Sequence, residues 1–223
     1  MGVQVKICGI NSREAANAAL VAGADFTGLV FHARSPRHLS FEQGRALALQ
    51  MRGRTRIVAL FADAGDAEMA GAIASVKPDL IQLHGKEAPA RVGHLRARFK
   101  LPVIKAVAIA DEADVESAHV YENAADYLLF DAKATETTTH SGGHGVAFDW
   151  KLLAGAKFKM PWLLAGGLTP DNVGRAIAVS GARIVDVSSG VEDASGQKNS
   201  DKIAAFVKAT RASHTNESEK GAA

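Results

Sequence analysis

"CGINSRE", Cys8–Glu14, closes the first apolar run of the chain, "VQVKIC", and opens its first helical periodicity, "REAANAALVAGA". A turn that starts an open, doubly wound sheet normally carries a G-x-G-x-x-G run, because the glycines let backbone approach a pyrophosphate. This turn has a single glycine, Gly9. It argues for the other common way to arrange alternating strands and helices, a sheet closed on itself.

The alternation extends outward from that turn. Runs rich in Val, Ile, Leu and Phe recur at 3–8, 26–31, 56–62, 80–85, 102–109, 127–132, 162–167 and 184–190. Each is followed by an Ala-rich, charge-studded segment of helical spacing, at 13–24, 41–52, 66–76, 88–99, 113–124, 149–156, 169–181 and 200–212. Near-continuous apolar strands alternating with amphipathic helices are the pattern of a parallel sheet covered by helices. Asn11 or Ser12, Ser40, Asp66, Thr169 with Pro170, and Ser200 stand where side-chain oxygens would take the free amides of a first turn. Eight such units in 223 residues predict one (β/α)₈ TIM barrel of parallel strands. The predicted catalytic domain is 1–212, with 213–223, "SHTNESEKGAA", a disordered tail. Residues 134–147, polar and glycine-rich, are either an active-site loop or a disordered insertion, and their place after the sixth strand favours the loop.

Composition narrows the classes. With 47% hydrophobic and 22% charged residues, the chain is that of a globular protein. A net charge of +2 from interspersed charges calls for neither nucleic acid nor an anionic membrane. One cysteine excludes an intrachain disulfide and clustered thiolate metal sites, and it fits a reducing cytosol. The N-terminus shows no leader and no run is long enough to span a bilayer, so a cytoplasmic protein is expected. The histidines, His32, His38, His140 and His144 among them, lack metal-ligand spacing, and no metal site is expected.

In a barrel the C-terminal strand ends face the site. Cys8 ends the first strand, where it is either a small buried hydrophobe or a thiolate base. Lys6 shares its face by alternation. Asp131 follows "YLLF", at an apolar rim that favours a protonated acid, or else it caps a helix or pairs with Lys133. "LLAGGLTPDNV" and "VDVSSGVEDASGQ" place Gly166, Gly167, Ser189 and Gly190 between strand and helix after the seventh and eighth strands, where barrels build phosphate sites. No Walker motif is present, which favours a sugar phosphate over a nucleoside triphosphate. Arg37 in "SPRHLS" offers a planar fork for a carboxylate or phosphate, and His84 in "QLHG" is either a ligand contact or a structural histidine.

Taken in order, "VKICGI", "GLVFHARSPRHLS", "IQLHG", "LLFDA", "AFDW", "LLAGGLTPDNV" and "VDVSSGVE" resemble phosphoribosylanthranilate isomerase, a cofactor-free family of tryptophan biosynthesis, from about residue 3 to about residue 212. The resemblance implies an Amadori rearrangement of N-(5-phosphoribosyl)anthranilate, a small phosphosugar substrate, to 1-(2-carboxyphenylamino)-1-deoxyribulose 5-phosphate. It implies Cys8 as general base, Asp131 as general acid, Arg37 on the anthranilate carboxylate, and Gly166, Gly167, Ser189 and Gly190 on the phosphate. It also places His84 and Asp186 near substrate, requires no cofactor, and allows a monomer or a homodimer. One departure is "HSGGHGVAFDW", where His144 stands between glycines; it is left outside the site. The related histidine-pathway isomerase would be expected to begin with an aspartate where Cys8 stands and to show two similar half-barrels. A silent phosphosugar-binding protein would have no need of both Cys8 and Asp131.

Overall fold

The computed structural model describes residues 2–133 and 148–220, with side chains as far as Ser213. Eight parallel strands close in sequence order: β1 (Gln4–Ile7), β2 (Phe26–Val30), β3 (Arg56–Phe61), β4 (Leu80–Leu83), β5 (Val103–Ile109), β6 (Tyr127–Ala132), β7 (Trp162–Leu164) and β8 (Ile184–Val187). The seam is the β1–β8 ladder, from Gln4 opposite Ile184 to Ile7 opposite Val187. Seven α-helices are described: α1 (Arg13–Ala22), α2 (Phe41–Met51), α3 (Asp66–Val76), α4 (Pro89–Phe99), α5 (Glu112–Ser117), α6 (Val173–Ser180) and α7 (Ser200–Lys220).

The period of two along each strand sorts the apolar side chains into two separate clusters. Phe26, Val58, Leu80, Ile104, Leu129, Leu163 and Ile184 fill the barrel interior, one residue from almost every strand. Their neighbours in sequence, such as Ile57, Ile81, Val103, Leu128 and Val185, face outward into the larger core beneath the helices. Fully burying one such side chain contributes about 1.5–3 kcal/mol, so both faces must be apolar for the layers to hold. Above the interior layer the polar groups of Cys8, Asp131 and Asp186 join apolar Val30 and Leu60 around a cavity, and these make the site.

Ser12 accepts a hydrogen bond from Ala15 N at the start of α1, and Ser40 forms a reciprocal capping box with Gln43 on α2. Asp66 and Ser200 are instead the first helical residues, after Gly65 and Asn199. The segment 149–156, expected to be helical, contains only a 3₁₀ turn at Trp150–Leu153, and α5 passes into a second 3₁₀ turn at Ala118–Tyr121.

Helix α7 covers the seam by burying Ile203, Phe206 and Val207. Arg211 reaches the Val3 carbonyl and the Asp25 carboxylate, the latter at 2.8 Å. The helix continues through 213–220, where composition predicts the start of a frayed tail. Its docked first half supplies the nucleus, and Glu and Lys are good formers that extend it. Residues 134–147, with His144, lie outside the described residues.

Candidate active site

One cavity at the C-terminal end of the barrel takes in Cys8 from the end of β1, Arg37 from the loop after β2, His84 from the end of β4, Asp131 on β6, and Asp186 and Ser188 at the end of β8. The apolar wall is Val30 and Leu60, which touch Cys8. A wider cleft lies outside the barrel between α5 and residues 149–158, and none of the sequence-predicted site residues lines it.

Cys8 shares its corner with Lys6 and Asp186. The Lys6 ammonium is fully buried and donates to Asp186 Oδ1 at 2.8 Å. Asp186 therefore points into the barrel and borders the cavity as well. Burial alone would lower the Lys6 amine, but the Asp186 carboxylate and then the Cys8 sulfur raise it above the ordinary lysine value. Cys8 itself is 6% exposed. Burial pushes its thiol up, and the Lys6 ammonium opposes this without overcoming it. Gly28 on β2 makes the room: a Cβ there would lie 2.8 Å from Cys8 Sγ and 3.3 Å from Lys6 Nζ.

Across the cavity, Asp131 Oδ2 is 3.2 Å from His84 Nε2, and Asp131 Oδ1 accepts from Ala132 N at 2.9 Å. Gln82 Nε2 is 2.9 Å from His84 Nδ1. This contact turns the ring so that Nε2 faces Asp131 Oδ2, and the His84 tautomer sets which of the two carries the hydrogen between them. Lys133 pairs with Asp114 at 3.4 Å and leaves Asp131 to the cavity.

Arg37 lies along a third wall. Its Nε and Nη2 donate to Glu192 Oε1 and Oε2 at 2.6 and 2.7 Å. Lys198, its side chain 1% exposed, donates to the same Oε1 at 2.5 Å and to the Ser188 carbonyl at 3.0 Å. Burial would raise the Glu192 carboxyl, but hydrogen bonds from Arg37 and the charge of Lys198 hold it below the usual range. Burial pulls the Lys198 amine down, and Glu192 only partly restores it.

The loops after β7 and β8 meet. Gly166 and Gly167 both have positive φ, 82° and 63°, and a Cβ on Gly166 would sit 2.6 Å from Ala132 N and 3.1 Å from Asp131 Oδ1. Asn172 ties this loop back by accepting from Thr169 N and donating to Gly167 O, each at 2.8 Å. Ser189 and Gly190 form a 3₁₀ turn with Val191, and Gly190 passes so close that a Cβ would lie 1.8 Å from Leu168 O.

All nine sequence-predicted residues thus fall at one end of the barrel: Cys8, Arg37, His84, Asp131 and Asp186 on the cavity, and Gly166, Gly167, Ser189 and Gly190 in the adjoining pair of loops. Sequence reasoning missed Gln82, Gly28, Glu192 and Lys198. A glutamine and a glycine at inward positions of apolar strands were the available signals for the first two. Glu192 ends a quoted motif, and Lys198 carries no periodic signal at all.

Comparison with known proteins agrees with this geometry. Residues 5–209 match the family described as N-(5'phosphoribosyl)anthranilate (PRA) isomerase. A protein of Rhodopseudomonas palustris strain BisA53 named N-(5'-phosphoribosyl)anthranilate isomerase is 48% identical over 212 residues, covering 95% of this chain and 97% of its own. The crystal structure of phosphoribosyl anthranilate isomerase from Thermotoga maritima superimposes with a TM-score of 0.84 at 34% identity, over 94% of this chain and 99% of that one. A crystal structure of a phosphoribosyl anthranilate isomerase in complex with reduced 1-(o-carboxyphenylamino)-1-deoxyribulose 5-phosphate gives a TM-score of 0.81 at 33% identity, over 94% of this chain and 99% of that one. A closed eight-stranded barrel, a thiol and a carboxyl on one cavity, and a family match that runs from β1 into α7 lead to one assignment: this chain belongs to the N-(5'-phosphoribosyl)anthranilate isomerase family.

Proposed function

We propose that Cys8 and Asp131 are the base and acid with which this chain performs its family's reaction in tryptophan biosynthesis. The chain is an isomerase that converts N-(5'-phosphoribosyl)anthranilate into 1-(2-carboxyphenylamino)-1-deoxyribulose 5-phosphate. The observation that carries the assignment of roles is that Cys8, Asp131 and Arg37 line a single cavity while belonging to β1, β6 and the loop after β2. A phosphosugar with an aryl carboxylate at one end and a phosphate at the other suits a cavity with an arginine on one wall and a pair of glycine-rich loops beside it.

Asp131 donates a proton to the ribose ring oxygen, and the C–O bond at the anomeric carbon breaks to give an open-chain iminium. Cys8, as thiolate, removes the proton on C2; the electron pair moves into the C1–C2 bond and neutralises the iminium nitrogen, forming an enolamine. Tautomerisation, with a proton delivered to C1 and the C2 hydroxyl proton lost, gives the ketone. The iminium nitrogen is the electron sink, so the chain's own residues supply proton transfer and orientation. His84 and Gln82 orient Asp131, and Gly166, Gly167, Ser189 and Gly190 hold the phosphate. The reading takes the protein as cytoplasmic, acting as a monomer or a homodimer on a small molecule; no described helix is long and apolar enough to cross a membrane.

The test is turnover of freshly generated phosphoribosylanthranilate, followed through loss of its fluorescence. Cys8→Ala and Asp131→Asn should each lower kcat by about two to four orders of magnitude. Wild-type rates in either variant would remove that residue from its role.

A further inference from the structure

We propose that Glu192, braced by Lys198, is a positioning residue that makes Arg37 a one-sided receptor for the aryl carboxylate of the substrate. The proposal rests on Arg37 meeting that carboxylate, as read above, and adds what gives the contact its direction and charge.

A guanidinium has two edges that match a carboxylate, one formed by Nε and Nη2 and one by Nη1 and Nη2. Glu192 takes the first with both oxygens, at 2.6 and 2.7 Å. The second edge carries parallel N–H groups with the spacing of a carboxylate. Behind Arg37 the chain leaves no slack: a Cβ on Gly9, which has φ +76°, would sit 2.5 Å from Arg37 Cδ. The arginine is thus held by Glu192 along one edge and by the backbone of Gly9 along its stem, and one fork is left to a ligand.

Glu192 is itself fixed. It pairs antiparallel with Lys198 across a tight turn in which Asp193 accepts from Ser195 N and Gln197 N, and Lys202 Nζ donates to its carbonyl at 2.7 Å. Lys198 also resolves a charge problem. Arg37 and Glu192 alone sum to zero and would attract a carboxylate weakly; the ammonium 2.5 Å from Glu192 Oε1 returns a net positive charge to the cluster. Its buried position, at 1% side-chain exposure, keeps that charge from being screened by solvent.

The experiment compares two ligands on the intact chain: reduced 1-(2-carboxyphenylamino)-1-deoxyribulose 5-phosphate and the same compound without the ring carboxyl. The affinity ratio of the two, by calorimetry, measures carboxylate recognition apart from the phosphate. Glu192→Gln should shrink the ratio about tenfold, the scale of one charge-assisted hydrogen bond, because loss of the paired grip on Arg37 outweighs the added positive charge, and it should raise KM far more than it lowers kcat. Binding of the carboxyl-free compound should stay within about twofold. Glu192→Asp, which keeps the charge and loses the reach, should fall between, and Lys198→Met should follow Glu192→Gln. These two variants carry the test if Glu192→Gln does not fold. Loss of the ratio in Arg37→Gln but not in the Glu192 and Lys198 variants would overturn the proposal while leaving the Arg37 contact standing. An unchanged ratio in Arg37→Gln would overturn the contact itself. Equal weakening of both ligands in Glu192→Gln would mean general damage and overturn the positioning role.

Discussion

His84 and Asp131, 47 positions apart in the chain, meet in the cavity with Nε2 3.2 Å from Oδ2. The contact joins the end of β4 to β6 across β5 and sets the face that the carboxyl presents. Gln82, two residues before His84 on the same inward face, holds the ring through Nδ1 at 2.9 Å.

His84→Ala should therefore lower kcat by about tenfold to a hundredfold while changing KM little, because it disorders the proposed proton donor, Asp131, rather than a binding contact. Gln82→Leu should show the same split with a smaller loss, since the imidazole remains but loses its hold through Nδ1. Steady-state kinetics on the fluorescent substrate separate kcat from KM.

The pH profile should reflect the Cys8 thiol. In its proposed role as base Cys8 must be deprotonated, and burial holds this thiol above the ordinary range, so kcat/KM should still be rising with pH beyond the usual thiol pKa of about 8.5. Removing the Lys6 ammonium, as in Lys6→Met, takes away the nearest charge that favours the thiolate and should move the rise to higher pH. Thiolate absorbance near 240 nm, measured against a Cys8→Ser reference, reports the same titration without turnover.

Gly28→Ala should reduce both stability and activity. The added methyl would stand 2.8 Å from Cys8 Sγ and 3.1 Å from Cys8 Cα, so the end of β1 must move. Overpacking of this kind costs about 1–3 kcal/mol, readable as a lower urea midpoint with unchanged slope.

Gly190→Ala tests the joined loops. A Cβ 1.8 Å from the Leu168 carbonyl has no flexible neighbour to displace, so the β7 and β8 loops must separate. KM should rise by about tenfold or more, and inhibition by inorganic phosphate should weaken in parallel.

Outside the cavity, Lys105 donates to Glu87 Oε2 at 2.9 Å, both side chains being nearly inaccessible. Burial would raise the Glu87 carboxyl, but Lys105 and the Asp63 amide hold it below the ordinary value. A depressed carboxyl contributes stability that is present above its unfolded pKa of about 4.3 and is lost as pH falls through the folded value. Acid unfolding should thus be less steep in Glu87→Gln. At neutral pH, Lys105→Met, which strands a buried carboxylate, should cost about 3–5 kcal/mol in urea denaturation.

The barrel was legible because its signals are local. Apolar strands alternating with helical periodicity, Ser12 and Ser40 at helix starts, and one glycine after β1 each depend on a few neighbouring residues. The segment 149–156 misled because a helical period of only two turns does not by itself stabilise a helix, and a 3₁₀ turn at Trp150–Leu153 was enough to bury Trp150 and Leu153. Strand ends could be named in advance since barrel geometry places them all at one rim, which is why Cys8, His84 and Asp131 were found without knowing their distances, whereas Asp186 came from the motif resemblance.

The chain by itself determined the element order and the closed barrel, which follow from periodicity, and it offered the candidate site side chains through strand ends and motif resemblance. Only the tertiary structure decided their partners. Lys6 with Asp186, His84 with Asp131 and Arg37 with Glu192 lie 180, 47 and 155 positions apart, and no local pattern encodes such pairings. They arise when closure of β8 on β1 brings inward-facing polar groups from distant strands and loops into one low-dielectric volume, where each buried charge must find its counterpart.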